Sequence, residues 1–166
     1  MKKLMSLVTG WKKILLEVLI IALLYWGIRY YQQLDIVKGQ APVLQGVMLN
    51  KKAINWSEYR GKPLLVHFWA TWCRVCQFEQ DSIEAIAKDY QVITIASWSD
   101  DSREYMQKHG LTFPVLDDPQ GHWAQRYGIS AVPVSFMLDA DGNIAFIESG
   151  YSSEIGLRLR LGWLEL

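Results

Sequence analysis

The stretch Leu64-Leu65-Val66-His67-Phe68-Trp69-Ala70-Thr71-Trp72-Cys73-Arg74-Val75-Cys76 decides how this chain is read. Leu64–Trp69 is a short, mostly apolar run, the pattern of a strand buried on both faces. From Cys73 to Asp89, apolar residues recur at Val75, Cys76, Phe78, Ile83, Ile86 and Ala87, close to helical spacing. The 2 cysteines of the 166 residues therefore stand at the start of a helix that follows a buried strand. Two thiols in C-x-x-C spacing can close into a disulfide and open again. The chemistry predicted is thiol–disulfide exchange, unless a metal claims the sulfurs first.

The two sulfurs are not equivalent. A cysteine in the first turn feels the positive end of the helix dipole and unpaired backbone N–H groups, which stabilise thiolate over thiol. Arg74 adds positive charge in the same direction. Cys73 is thus the expected nucleophile, with Cys76, one turn further in, as the resolving thiol. Trp72 and Arg74 flank Cys73 and are expected to meet the substrate.

Composition bounds the rest. Lysine plus arginine equal aspartate plus glutamate at 17 each, so the clustered basic excess of a nucleic-acid binder is missing. Two cysteines are too few for a disulfide scaffold. Hydrophobic residues make up 51% of the chain, and much of the excess lies before residue 32. Residues 14–28 read ILLEVLIIALLYWGI, and counting from Trp11 to Tyr31 gives about 31 Å of helix, enough for a bilayer core. Aromatic residues stand at both ends, and Glu17 lies one turn after Lys13. A cleaved signal peptide or a buried core helix are the alternatives, but no small residues after Leu24 offer a cleavage site. Lys2, Lys3, Lys12 and Lys13 precede the segment, which puts the amino terminus in the cytoplasm. The expected organisation is a cytoplasmic terminus over 1–10, a single-pass anchor over 11–31, a linker over 32–42 and a domain over 43–166. The domain would lie in the periplasm of a bacterial inner membrane, where disulfide chemistry is possible.

Within that domain the expected elements alternate. Val43–Leu49 reads as a strand, Asn55–Tyr59 as a short helix or turn, and Gln91–Ser97 as a second buried strand. Asp101–His109 reads as a polar helix ended by Gly110, and Trp123–Tyr127 as a short one. Pro133–Leu138 and Ile144–Glu148 flank the hairpin signal Asp139-Ala140-Asp141-Gly142-Asn143. Ser152–Leu164 closes the chain as an amphipathic helix. This order predicts an α/β fold with a mixed sheet and helices on both faces.

FWATWCRVC resembles the active-site segment of the thioredoxin superfamily. It is most similar to the membrane-anchored TlpA-like branch, which includes ScsD-like periplasmic disulfide oxidoreductases and proteins serving cytochrome c maturation and copper stress. Arg60-Gly61-Lys62-Pro63, Glu79, Ala131-Val132-Pro133-Val134-Ser135 and Asp139-Ala140-Asp141-Gly142 extend the resemblance over roughly residues 41–166. It implies a thioredoxin-like fold and a cis bond at Val132–Pro133, with that loop against the sulfurs and the Val132 backbone pairing with substrate. It implies catalytic roles for Cys73, Cys76 and Pro133, and substrate contacts at Trp72, Arg74 and Val132; Glu79, near the cysteines by helical spacing, is the catalytic acid–base candidate, with a solvated helix charge as the alternative. Periplasmic client proteins with cysteines and a membrane electron donor or acceptor would be the partners. The redox-active disulfide would serve in place of any cofactor or metal.

His67 departs from the superfamily, whose members usually carry a buried aspartate there; both structural and proton-transfer roles are open to it. His109 and His122 read as surface residues. A copper metallochaperone is the alternative of a different class, but those proteins use a longer C-x-x-x-C loop and a distal histidine. No histidine follows Pro133. Tetrahedral zinc would need two more ligands. A reductase is favoured over an oxidase or isomerase, although Arg74, by stabilising the thiolate, pulls the other way.

Overall fold

The structure is a computed structural model and describes residues 11, 13–27 and 36–166. It divides into two units, Met1–Ile36 and Val37–Leu166. In the first, residues 13–27 form a helix, α1, with exposed apolar side chains that include Leu15, Leu19, Leu23 and Trp26. Among the described residues, no helix is long and apolar enough to cross a membrane. The expected cytoplasmic terminus (1–10) lies outside the described residues, as do positions 12 and 28–31 of the expected anchor and 32–35 of the linker.

The second unit is built on a six-stranded sheet in the order β1-β6-β5-β2-β3-β4. Its strands are β1 (Gly39–Gln40), β2 (Leu64–Trp69), β3 (Gln91–Ser97), β4 (Val115–Asp118), β5 (Val134–Leu138) and β6 (Asn143–Ser149). The helices are α2 (Arg74–Ile86), α3 (Ser102–His109), α4 (His122–Arg126) and α5 (Glu154–Trp163), with a 3-10 turn at Trp56–Tyr59. The sheet is mixed: β2 pairs parallel with β3 and antiparallel with β5. Every residue of β2 is buried, as its apolar run predicts for the central strand.

Two successive parallel crossovers, β2–α2–β3 and β3–α3–β4, move in one direction across the sheet, so right-handed connections put α2 and α3 on the same face. There Leu65 and Trp69 pack with Ile83 and Ile86 of α2, Tyr105 and Met106 of α3, and Leu157 and Leu161 of α5. Alternation along β2 sends Phe68 to the opposite face. Its ring meets Tyr127 and Phe136 with centroids 5.0 and 5.9 Å away.

The chain joins the sheet earlier than the sequence suggests. Gly39 and Gln40, inside the expected linker, pair antiparallel with Ile144 and Asn143, and the Ala41 N–H donates to the Gly142 carbonyl at 3.0 Å. Val43–Leu49 is not a strand; only isolated bridges at Val47–Ala53 and Met48–Leu116 form. Gly46 breaks the extension with φ +143°, and a Cβ there would lie 2.9 Å from Leu116 Cδ1. Leu44 and Met48 are buried all the same, so these apolar residues fill the core without entering the ladder. Val115–Asp118 adds a strand where the sequence offers only two apolar residues and two aspartates.

Candidate active site

The turn from β2 into α2 carries the cysteines. Trp69 ends the strand buried, its Nε1–H donating to Thr94 Oγ1 at 3.1 Å. The Cys73 N–H closes the turn on the Ala70 carbonyl at 3.2 Å. Cys73 is the N-cap residue of α2, and its Sγ accepts the Cys76 N–H at 3.1 Å. A sulfur that accepts a helix-terminal N–H is one whose negative charge is stabilised on reduction. The two sulfurs form a disulfide with the Cα atoms 5.3 Å apart. Cys73 is 6% exposed and Cys76 1%, so only the first has a path to an incoming sulfur.

The Val132–Pro133 bond is cis, as the resemblance implied. The Val132 carbonyl oxygen lies 3.7 Å from Cys73 Sγ, and the Pro133 carbonyl accepts the Gly150 N–H at 2.9 Å. The structure thus brings Cys73, Cys76, Val132 and Pro133 together. Arg74 is exposed on the first turn of α2. Trp72 is 62% exposed, with its Nε1–H on the Trp98 carbonyl at 2.8 Å.

Glu79 sits on the inner face of α2, 1% exposed. Oε1 accepts the Ser152 N–H, which precedes α5, while Oε2 has no hydrogen-bond partner. Burial penalises the charged form more than that one bond favours it, so its carboxyl is pushed up from 4.5 to about 7. It is poised to hold or release a proton near neutral pH.

His67 shares the Leu65–Trp69 face of β2 by alternation. It is buried, with Nδ1 2.9 Å from Ser135 Oγ on the neighbouring strand β5. Burial pulls its pKa down from 6.5 to about 3, so the ring is neutral at physiological pH. His109 and His122 are exposed, the former stacked on Tyr105. Among the described residues, no group of three or more histidine, cysteine or acidic side chains is placed to hold a metal.

Sequence reasoning missed the loop between β3 and α3. The Thr71 N–H donates to Ser99 Oγ at 3.0 Å, and the Thr71 hydroxyl donates to Asp101 Oδ1 at 2.7 Å. With the Trp72–Trp98 bond, they tie the redox turn to a loop about 30 residues away in sequence. Nothing in the local pattern of residues 97–101 signals that contact.

The Redoxin family model matches residues 36–157. The chain is 32% identical to the thioredoxin-like protein YneN of Bacillus subtilis over 155 residues, 84% of this chain and 91% of that one. It is 30% identical to the thiol-disulfide oxidoreductase ResA of Bacillus thuringiensis over 112 residues, 63% of this chain and 65% of ResA. The chain spans just under two thirds of the length of ResA and of the first other curated relatives it matches. Among solved structures, the exposed lipoprotein thioredoxin Etrx1 of Streptococcus pneumoniae superposes with a TM-score of 0.63 at 26% identity, over 74% of this chain and 98% of that one. The fold is thioredoxin-like, and the chain belongs to the Redoxin family.

Proposed function

We propose that this chain is a thiol–disulfide oxidoreductase that exchanges disulfides with protein clients through Cys73 and Cys76. The observation that carries the reading is the Cys73–Cys76 disulfide at the N-cap of α2, with the Val132 carbonyl 3.7 Å from Cys73 Sγ. In the reducing direction, the Cys73 thiolate attacks one sulfur of a client disulfide. That S–S bond breaks, a client thiolate leaves, and a mixed disulfide forms. Cys76 then gives up its proton and attacks Cys73 Sγ, releasing the second client thiolate. Two electrons pass to the client, the chain returns to its disulfide form, and a dithiol donor recharges it. Glu79, three residues and so about one helical turn past Cys76, is the proposed acceptor of the Cys76 proton, with a carboxyl poised at about 7. Oxidation of clients runs the same steps backwards.

The finer reading is a TlpA-like, ScsD-like protein tethered through residues 11–31 to a bacterial inner membrane, its domain in the periplasm. It acts as a reductase on periplasmic clients and is recharged by a membrane electron carrier. The name of the relative ResA supports the activity, and the apolar residues 13–27 support the tether. Cys76→Ala tests the exchange step: lacking the resolving thiol, it should accumulate mixed disulfides on Cys73 that dithiothreitol releases. Cells that yield no such covalent complexes would overturn the reading.

A further inference from the structure

The acceptor of the Trp72 bond is an unusual one. Trp98 has φ +54°, a left-handed conformation that a bulky side chain adopts only at an energetic cost. Glycine would adopt it freely, yet the chain keeps tryptophan. The reason lies at Gly121, the residue before α4. A Cβ there would come within 2.1 Å of Trp98 Nε1, so the indole occupies the space that the absent side chain leaves. The Trp98 N–H donates to the Asp118 carbonyl at 3.0 Å. Both ring and backbone of Trp98 are therefore fixed to the β4–α4 corner, with the carbonyl aimed at Trp72 at 2.8 Å.

Trp72 is thereby held by one edge while most of its ring stays open to solvent. Val75 and Phe78 are likewise exposed, on the first two turns of α2. We propose that Trp98 is a positioning residue whose strained carbonyl fixes the Trp72 ring as an apolar wall beside Cys73, against which a client segment lies. That wall selects client segments with an aromatic or aliphatic side chain beside the reactive cysteine. The inference rests on the exchange function proposed above and specifies its substrate class. An unheld indole would lose its fixed orientation and yield part of the apolar contact on binding.

The test uses the reduced protein and two peptides, each carrying one cysteine as a mixed disulfide with glutathione, with phenylalanine or uncharged serine next to it. Wild type should favour the phenylalanine peptide. Trp98→Gly keeps the carbonyl but removes the ring that anchors it at Gly121, and should cut that preference by up to about fivefold through KM, the most that losing the Trp72 hydrogen bond would give. It should also speed solvent exchange of the Trp72 indole N–H, read by NMR, and leave the Cys73–Cys76 potential unchanged. Gly121→Ala crowds the same ring from the other side and should act alike, whereas Trp98→Phe, which keeps a ring, should restore most of the preference. A folded Trp98→Gly or Gly121→Ala protein with the wild-type preference, or one whose potential shifts with it, would overturn the positioning role. Wild-type protein that attacks neither peptide would instead overturn the exchange function itself.

Discussion

Replacing Glu79 by glutamine isolates the charge buried beneath the redox site. The carboxyl titrates at about 7 in the fold and at 4.5 when free, so the folded state binds the extra proton between those values. Stability from this group is therefore full below the free value and lost as pH rises towards the folded one. The shift of about 2.5 pH units, at about 1.4 kcal/mol each, amounts to about 3 kcal/mol. His67 works in the opposite sense. Its pKa falls from 6.5 to about 3 on folding, so stability is lost as pH drops through that window. The two slopes oppose each other where they overlap, between about 4.5 and 6.5, and wild type should be nearly flat there. Glutamine keeps the acceptor for the Ser152 N–H and removes only the titration. Glu79→Gln should thus expose the His67 slope, and its stability relative to wild type should climb by about 3 kcal/mol from pH 4.5 to 7.5. Urea unfolding of both oxidised proteins across that range reads this directly, as a midpoint gap widening by about 1–2 M. Parallel curves for the two proteins would refute the buried-carboxyl argument.

Other consequences follow from the same geometry. Because Cys73 Sγ accepts the Cys76 N–H at the start of α2, the reduced Cys73 thiol should titrate below the free value of about 8.5. The pH profile of iodoacetamide alkylation measures it, and a midpoint at the free value would remove the dipole argument. Phe136→Ala empties one corner of the Phe68–Tyr127–Phe136 cluster on the face away from the cysteines and should cost about 3–5 kcal/mol in urea unfolding. The alkylation profile of Cys73 should not move with it; a matching shift would show that the two faces are coupled.

How much of this was legible in the sequence depended on how local the cause was. The strand Leu64–Trp69, the helix after Cys73 and the hairpin at Asp139–Asn143 each declare themselves within a few residues. In the hairpin, for instance, Asp139 Oδ1 accepts the N–H groups of Asp141 and Asn143. β4 was hidden because half of it is aspartate. Asp118 is buried through distant and forward partners, accepting from the Ser97 hydroxyl and from the Trp123 and Ala124 N–H groups. Val43–Leu49 carried a strand's composition, but the close approach of Gly46 to Leu116 replaced the ladder with side-chain burial. Glu79 was legible as a residue near the cysteines, yet its raised pKa comes from burial under the packed fold, which outweighs the opposing bond from the Ser152 N–H, 73 residues away. The clamp on Thr71 and Trp72 is likewise a contact between segments that no local pattern joins.

Cys73 and Cys76 should form a reversible redox couple rather than a fixed crosslink. Equilibrating the protein against graded ratios of reduced and oxidised dithiothreitol or glutathione, with the thiols trapped and counted by mass, gives the potential of the couple. Exchange proteins lie at about −270 to −120 mV, and this couple should fall within that span. A value below about −300 mV, the range of structural disulfides that the glutathione pool does not reduce, would make the bond a fixed crosslink and rule out exchange.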